Sequence, residues 1–248
     1  QPQEVFRHLP ANPPDREGTR LMIYDGQILC AHASTEAFLE GGQRPPAWPD
    51  AVRDSDGIYT VRWRVQRRLP QFDEAAYREI IKTSLSHWES VCGIRFLEDD
   101  RAGYGGIEFG LYPEPQPGGV LADCQLPLLG MSPAAWLALR MDHSEAWTLS
   151  KNPPSNRIDI VRVICHEAGH GIGISHIASG NLMAAMYSMK IGAPQPGDIE
   201  QARARYGMPK SSRPTQPRTD RAFRDVCKLL AEAHQIVIRN ADGSEVIL

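Results

Sequence analysis

Between residues 58 and 65 the chain alternates: Tyr59, Val61, Trp63 and Val65 face one way, and Ile58, Thr60, Arg62 and Arg64 the other. A period of two with one apolar side predicts a half-buried strand. From Asp73 the period lengthens, with Tyr77, Ile81, Leu85, Trp88 and Cys92 recurring every three or four residues. That stripe predicts a helix capped by Asp73, running to about Cys92 and lying on a sheet. Residues 94–97, 106–111 and 118–124 are short strand candidates separated by Gly and Pro turns, so a mixed sheet follows. A long stretch after Cys124 reads as irregular. Asn156 is then the expected cap of a second helix through Gly171, and Asp198 with Gln201 three residues later marks the start of a third, closed by Gly207.

The two ends read differently. Residues 1–55 are rich in Pro, Gly and polar residues, with one apolar stretch at 21–31 suited to a strand or hairpin, and form an N-terminal extension. Residues 56–207 hold the main folded unit. Residues 208–218 read as a linker, and 219–248 as an amphipathic helix striped by Phe223, Val226, Leu230 and Ala233, followed by a hairpin pairing 236–238 with 245–248. There is no internal repeat.

Composition narrows the function classes. A chain of 248 residues buries one good core, and a net charge of −3 with 23% charged residues gives no electrostatic bias toward nucleic acid. No apolar run approaches the roughly 20 residues that span a bilayer. Residues 1–15 lack the apolar core of a signal peptide, and the opening Gln1 fits a processed form. Cys30, Cys92, Cys124, Cys165 and Cys227 are odd in number and contain no C-x-x-C pair, which suggests neither a disulfide scaffold nor a cysteine zinc site.

The chemistry concentrates at residues 166–176, His-Glu-Ala-Gly-His-Gly-Ile-Gly-Ile-Ser-His, an H-E-x-x-H-x-x-G-x-x-H pattern. His166 and His170 lie one turn apart on one helix face, so both imidazoles reach a single zinc at about 2.0 to 2.1 Å. Gly173 lets the chain leave the helix sharply, with positive φ, and bring His176 back as third ligand. Three neutral nitrogens leave the fourth zinc position to a water, from which Glu167 takes a proton as general base. The expected activity is peptide-bond hydrolysis. The alternatives are a zinc-binding but inactive structural or interaction module, and a hydrolase of non-peptide amides.

With these residues in place, the sequence resembles the metzincins and, among them, the matrixins, the matrix metalloproteinase type of catalytic domain, over roughly residues 58 to 207. Asn181-Leu182-Met183 is similar to the Met-turn, with Met183 as an apolar floor beneath the metal. Tyr187 matches the wall of the pocket for the side chain after the scissile bond. The run from Gly197 to Gly207 resembles the family's final helix, and Trp88, Val91, Ile94 and Phe96 resemble its W-x-x-V-x-x-(L/I)-x-F run. Ala185 stands where astacin- and serralysin-like relatives carry a metal-reaching tyrosine, which favours the matrixin branch. Ile177 after His176, and Ala185 in place of the wall proline, depart from the pattern. The fold implied is α+β: a zincin with a twisted mixed sheet of about five strands, a backing helix, an active-site helix and a C-terminal helix after the Met-turn.

The resemblance implies further residues. Gly119, Val120, Leu121 and Ala122 lie on a run similar to the edge strand along which matrixins bind extended substrate by β-augmentation. The family's structural zinc needs histidines where this chain has Asp123 and Arg140, so one Zn2+ is expected. Asp142 and Glu145 match carboxylates that bind Ca2+; a solvated pair or a link to His143 is the alternative. Cys30 lies where matrixin zymogens place a latency thiol, and otherwise packs as an ordinary cysteine. Protein or peptide substrates, an apolar residue after the cut facing residues 191–194, and a secreted or extracytoplasmic setting complete the expectations.

Overall fold

Tyr59, Val61 and Trp63 are buried while Thr60, Arg62 and Arg64 stay half-exposed, so the alternation read from the sequence forms strand β1 (Tyr59–Val65). The computed structural model describes residues 46–101, 104–115 and 117–209, and the backbone of two short strands, Val237–Arg239 and Glu245–Ile247. The apolar stretch 21–31, Cys30, Cys227 and the helix expected at 219–233 lie outside the described residues.

Helix α1 (Glu74–Glu89) begins where the Asp73 side chain accepts the Ala76 N–H at 2.7 Å, satisfying a donor that has no partner within the helix. It ends a few residues before Cys92. Strands β2 (Ile94–Glu98), β3 (Gly106–Leu111), β4 (Ala122–Cys124) and β5 (Trp136–Met141) complete a five-stranded sheet in the order β2-β1-β3-β5-β4. The first four strands of that order run parallel, and β4 lies antiparallel on the edge beside β5. This is the mixed α+β sheet expected of a matrixin catalytic domain.

Two details of the sheet correct the sequence reading. The strand expected over 118–124 narrows to Ala122–Cys124, because Gly118 takes φ +75° and turns the chain just upstream. Strand β5 falls in the stretch read as irregular. Its signal was present: Leu137, Leu139 and Met141 are buried and alternate with Ala138 and Arg140, a period of two across only six residues.

A short parallel pair, β6 (Trp147–Thr148) and β7 (Ile158–Asp159), leads into helix α2 (Ile160–Gly171). The cap of α2 is Asp159 rather than Asn156; its carboxylate accepts from Val161 N at 3.0 Å. Nearly every residue of α2 is buried, since α1 packs on one side and β4 and β5 on another. Trp88 of α1 donates its indole N–H to the Cys165 carbonyl at 2.8 Å, fixing the two helices in register. Helix α3 (Pro196–Tyr206) starts earlier than Asp198: Gln195 is the cap and Asp198 the third helical residue. Gly207, with φ +74°, closes it as expected. Strands β8 (Val237–Arg239) and β9 (Glu245–Ile247) pair antiparallel.

The core also reaches upstream of residue 56. Trp48 is only 2% exposed and joins the hydrophobic cluster with Tyr59 and Tyr206, so the folded unit includes residues read from sequence as part of the extension.

Candidate metal centre

The last two turns of α2 present His166, Glu167 and His170, all buried. The helix stops at Gly171, and Gly173 takes φ +83°, a conformation most side chains resist. Beyond that turn His176 comes back toward the helix. The Nε2 atoms of His166 and His170 lie 3.1 Å apart, and those of His170 and His176 3.2 Å. A tetrahedral zinc with bonds of 2.0 to 2.1 Å spaces its ligands by about 3.3 Å, close to both separations, and the three ligand atoms all lie within 4.8 Å of one another. Among the described residues this is the group able to hold a metal.

The other nitrogens of two rings are committed to backbone carbonyls. His166 Nδ1 lies 2.7 Å from Leu182 O, and His170 Nδ1 2.7 Å from Ile174 O. A carbonyl can only accept, so both Nδ1 atoms carry the proton and both Nε2 atoms keep the lone pair a metal requires.

Met183 is fully buried and packs against α2 at Gly169. A Cβ placed on Gly169 would sit 2.3 Å from the Met183 Sδ and 2.8 Å from a Trp88 ring carbon, so the second x of H-E-x-x-H must be very small. Asp198 holds the turn that carries Met183: it accepts from Leu182 N at 2.8 Å, Met183 N at 3.0 Å and Gln195 N at 2.6 Å. Nothing in the spacing of the sequence revealed that one buried carboxylate serves both the turn and the helix start.

Tyr187 is buried, and its hydroxyl accepts the Asp159 N–H at 3.0 Å. Arg162, one helical turn before His166, lies under the Tyr187 ring at 5.6 Å, donates to the carbonyls of Ser188 and Lys151, and faces Asp159 at 3.5 Å. Burial raises the pKa of Asp159, with Arg162 acting against it. Sequence reading passed over Arg162, although its place four residues before His166 puts it on the face of the metal ligands.

Of the expected edge-strand residues, Gly119 and Val120 are half-buried and precede β4, while Leu121 and Ala122 are buried. Asp123 and Arg140 are direct cross-strand partners between β4 and β5, and the guanidinium grips the carboxylate with both Nε, at 3.0 Å, and Nη2. Asp142 accepts from the Ser144 N–H and hydroxyl, and Glu145 accepts the Gly118 N–H at 2.7 Å. Each of the two carboxylates thus engages a protein donor of its own.

A family model described as matrixin matches residues 54–207. The chain belongs to the matrixins, a family of zinc metalloendopeptidases. It is 27% identical to stromelysin-3 of Mus musculus over 63% of its own length and 32% of that protein's. It is 29% identical to matrix metalloproteinase-17 of Homo sapiens over 60% of its length and 24% of that protein. For metalloendoproteinase 1 of Glycine max the identity is 28%, over 56% of this chain and 48% of the relative. The chain thus spans from a quarter to a half of the length of these relatives. Among the described residues no helix is long and apolar enough to cross a membrane.

Proposed function

We propose that this matrixin is an active zinc endopeptidase in which His166, His170 and His176 hold one zinc and Glu167 is the general base. The observation that carries this reading is the convergence of three histidine Nε2 atoms at 3.1 and 3.2 Å, two of them with Nδ1 tied to a carbonyl. Zinc held there supplies Lewis acidity, which polarises a carbonyl and acidifies water. Glu167 follows His166 on α2, so its carboxylate stands beside the metal-facing side of the helix. It takes a proton from the attacking water as the water oxygen bonds to the carbonyl carbon, and delivers it to the amine as the C–N bond breaks.

Substrate lies extended along β4, whose outer edge carries no further strand among the described residues. The run from Gly119 to Ala122 leads into that edge, and backbone contacts along it give affinity with little dependence on substrate side chains; the Leu121 carbonyl faces the other way, accepting the Asp142 N–H at 3.0 Å. Tyr187 and the loop beyond it receive an apolar side chain after the cut. A single zinc is expected, because Asp123 and Arg140 satisfy each other across the strands. Cleavage of a broad peptide library tests the reading: chelator-sensitive cleavage by the wild type and its loss in Glu167→Ala, with metal retained, is the expected result. Equal cleavage by both proteins, or a folded, zinc-loaded wild type that cleaves nothing once residues 1–45 have been removed by limited proteolysis, overturns it.

A further inference from the structure

The carbonyls that end α2 receive hydrogen bonds from remote side chains. Trp48 donates its indole N–H to Gly171 O at 2.8 Å, across 123 residues of sequence. Tyr206, the last residue of α3, donates its hydroxyl proton to Ile172 O at 2.8 Å, and its hydroxyl oxygen accepts the Trp48 backbone N–H at 3.3 Å. Both side chains are almost fully buried, and Tyr206 is held from behind by an edge-on contact with Tyr59 at 5.1 Å. A helix terminus leaves its last carbonyls without partners inside the helix, so donors brought from elsewhere fix where the helix stops.

The path of the chain beyond this stop makes these bonds matter. Gly173 N donates to His170 O at 2.8 Å and Ile174 N to Gly169 O at 2.9 Å, folding the chain back over the helix end. That fold delivers Ile174 O to His170 Nδ1 and starts the path to His176. The upstream segment also presses on the turn: a Cβ on Gly173 would stand 2.5 Å from the Pro46 carbonyl oxygen. Gly173 is therefore needed twice, for its backbone angle and for the passage of residues 46–48. These residues lie upstream of the stretch that the family model matches.

We propose that Trp48 and Tyr206 are positioning residues for the metal centre: together they latch the turn at residues 171–174, which orients His170 and sets the reach of His176. The metal-binding part of this inference rests on the proposed zinc site. The latch itself is a property of the chain with or without metal.

Two conservative variants of the full chain separate the latch from simple packing. Trp48→Phe keeps an aromatic ring in the core and deletes the indole donor; Tyr206→Phe removes only the hydroxyl. Zinc release to a strong chelator is expected to quicken about tenfold in each, the scale of effect seen when groups orienting a metal ligand are removed. The double variant is expected to fall short of the product of the two, since both bonds hold one turn. In the metal-free proteins the His170 Nδ1 proton, followed by NMR, is expected to exchange with solvent several-fold faster than in the wild type. A purely structural role would lower the melting temperature while leaving zinc release from the folded protein and this exchange at wild-type rates, and that result overturns the latch. If the wild type holds no zinc, the functional reading fails instead, and the exchange measurement still decides the latch. Should Trp48→Phe fail to fold, Tyr206→Phe carries the same comparison.

Discussion

Asp198 accepts the backbone N–H of Met183 at 3.0 Å, so the start of α3 and the turn that carries Met183 are one construction. The same carboxylate takes the N–H groups of Leu182 and Gln195, and the Leu182 carbonyl in turn holds His166 Nδ1. Asp198→Ala leaves three backbone donors without their charged acceptor in a site that is fully buried. A loss of about 3 kcal/mol or more in urea unfolding is expected, together with weaker zinc retention, because the His166 acceptor moves with the turn. Unchanged zinc retention would show that the turn keeps its shape without Asp198.

Gly169 and Met183 are in direct contact. Alanine is a better helix former than glycine by about 1 kcal/mol. Here its Cβ would meet both the Met183 sulfur and the buried Trp88 ring, and overpacking of that kind costs about 1 to 3 kcal/mol. Gly169→Ala is expected to lower stability on balance, measured by thermal unfolding of the metal-free chain. A rise in melting temperature would mean that Met183 gives way freely.

The Asp123–Arg140 pair joins β4 to β5 with Asp123 nearly buried and the Arg140 side chain half-exposed, so solvent partly screens it. A double-mutant cycle with Asp123→Ala and Arg140→Ala is expected to give a coupling of about 1 kcal/mol. Zinc content should remain one per chain throughout. A second equivalent of tightly bound metal in the wild type would contradict the role given to this pair.

Buried acids predict the alkaline limit. Burial pushes the Cys92 thiol up to about 12, and raises Cys124, Cys165, Tyr77 and Tyr206 above their ordinary values as well. In the unfolded chain thiols ionise near 8.5 and tyrosines near 10. Above those values the unfolded state has released protons that the native state still holds. Stability contributed by these groups is therefore complete below about pH 8.5 and falls as pH rises toward the native values, by up to about 1.4 kcal/mol per pH unit for each group. Urea midpoints of the metal-free chain should decline between about pH 8.5 and 10.5. A flat profile would show that these groups ionise without unfolding.

The three converging histidines and the proposed general base were legible because a few residue types at fixed spacing leave one geometry open to a helix followed by a turn. Strand β1 and helix α1 were legible because each has an unbroken period. Strand β5 was not: six residues with three buried apolar positions, preceded by a loop containing Leu128 and Leu129, offer too little contrast. The caps of α2 and α3 were misplaced by three residues each, since Asn156 and Asp198 are both good capping types and only tertiary contacts choose Asp159 and Gln195. Arg162, Asp198 and Trp48 act largely through partners distant in sequence, up to 158 residues away for Trp48, and no local pattern encodes such partners.

Counting zinc in the purified full chain and in His166→Ala, His170→Ala and His176→Ala tests the account most directly. One equivalent in the wild type, with a marked loss in every variant, is the predicted result. A wild type without zinc, or full retention in the folded variants, would contradict it.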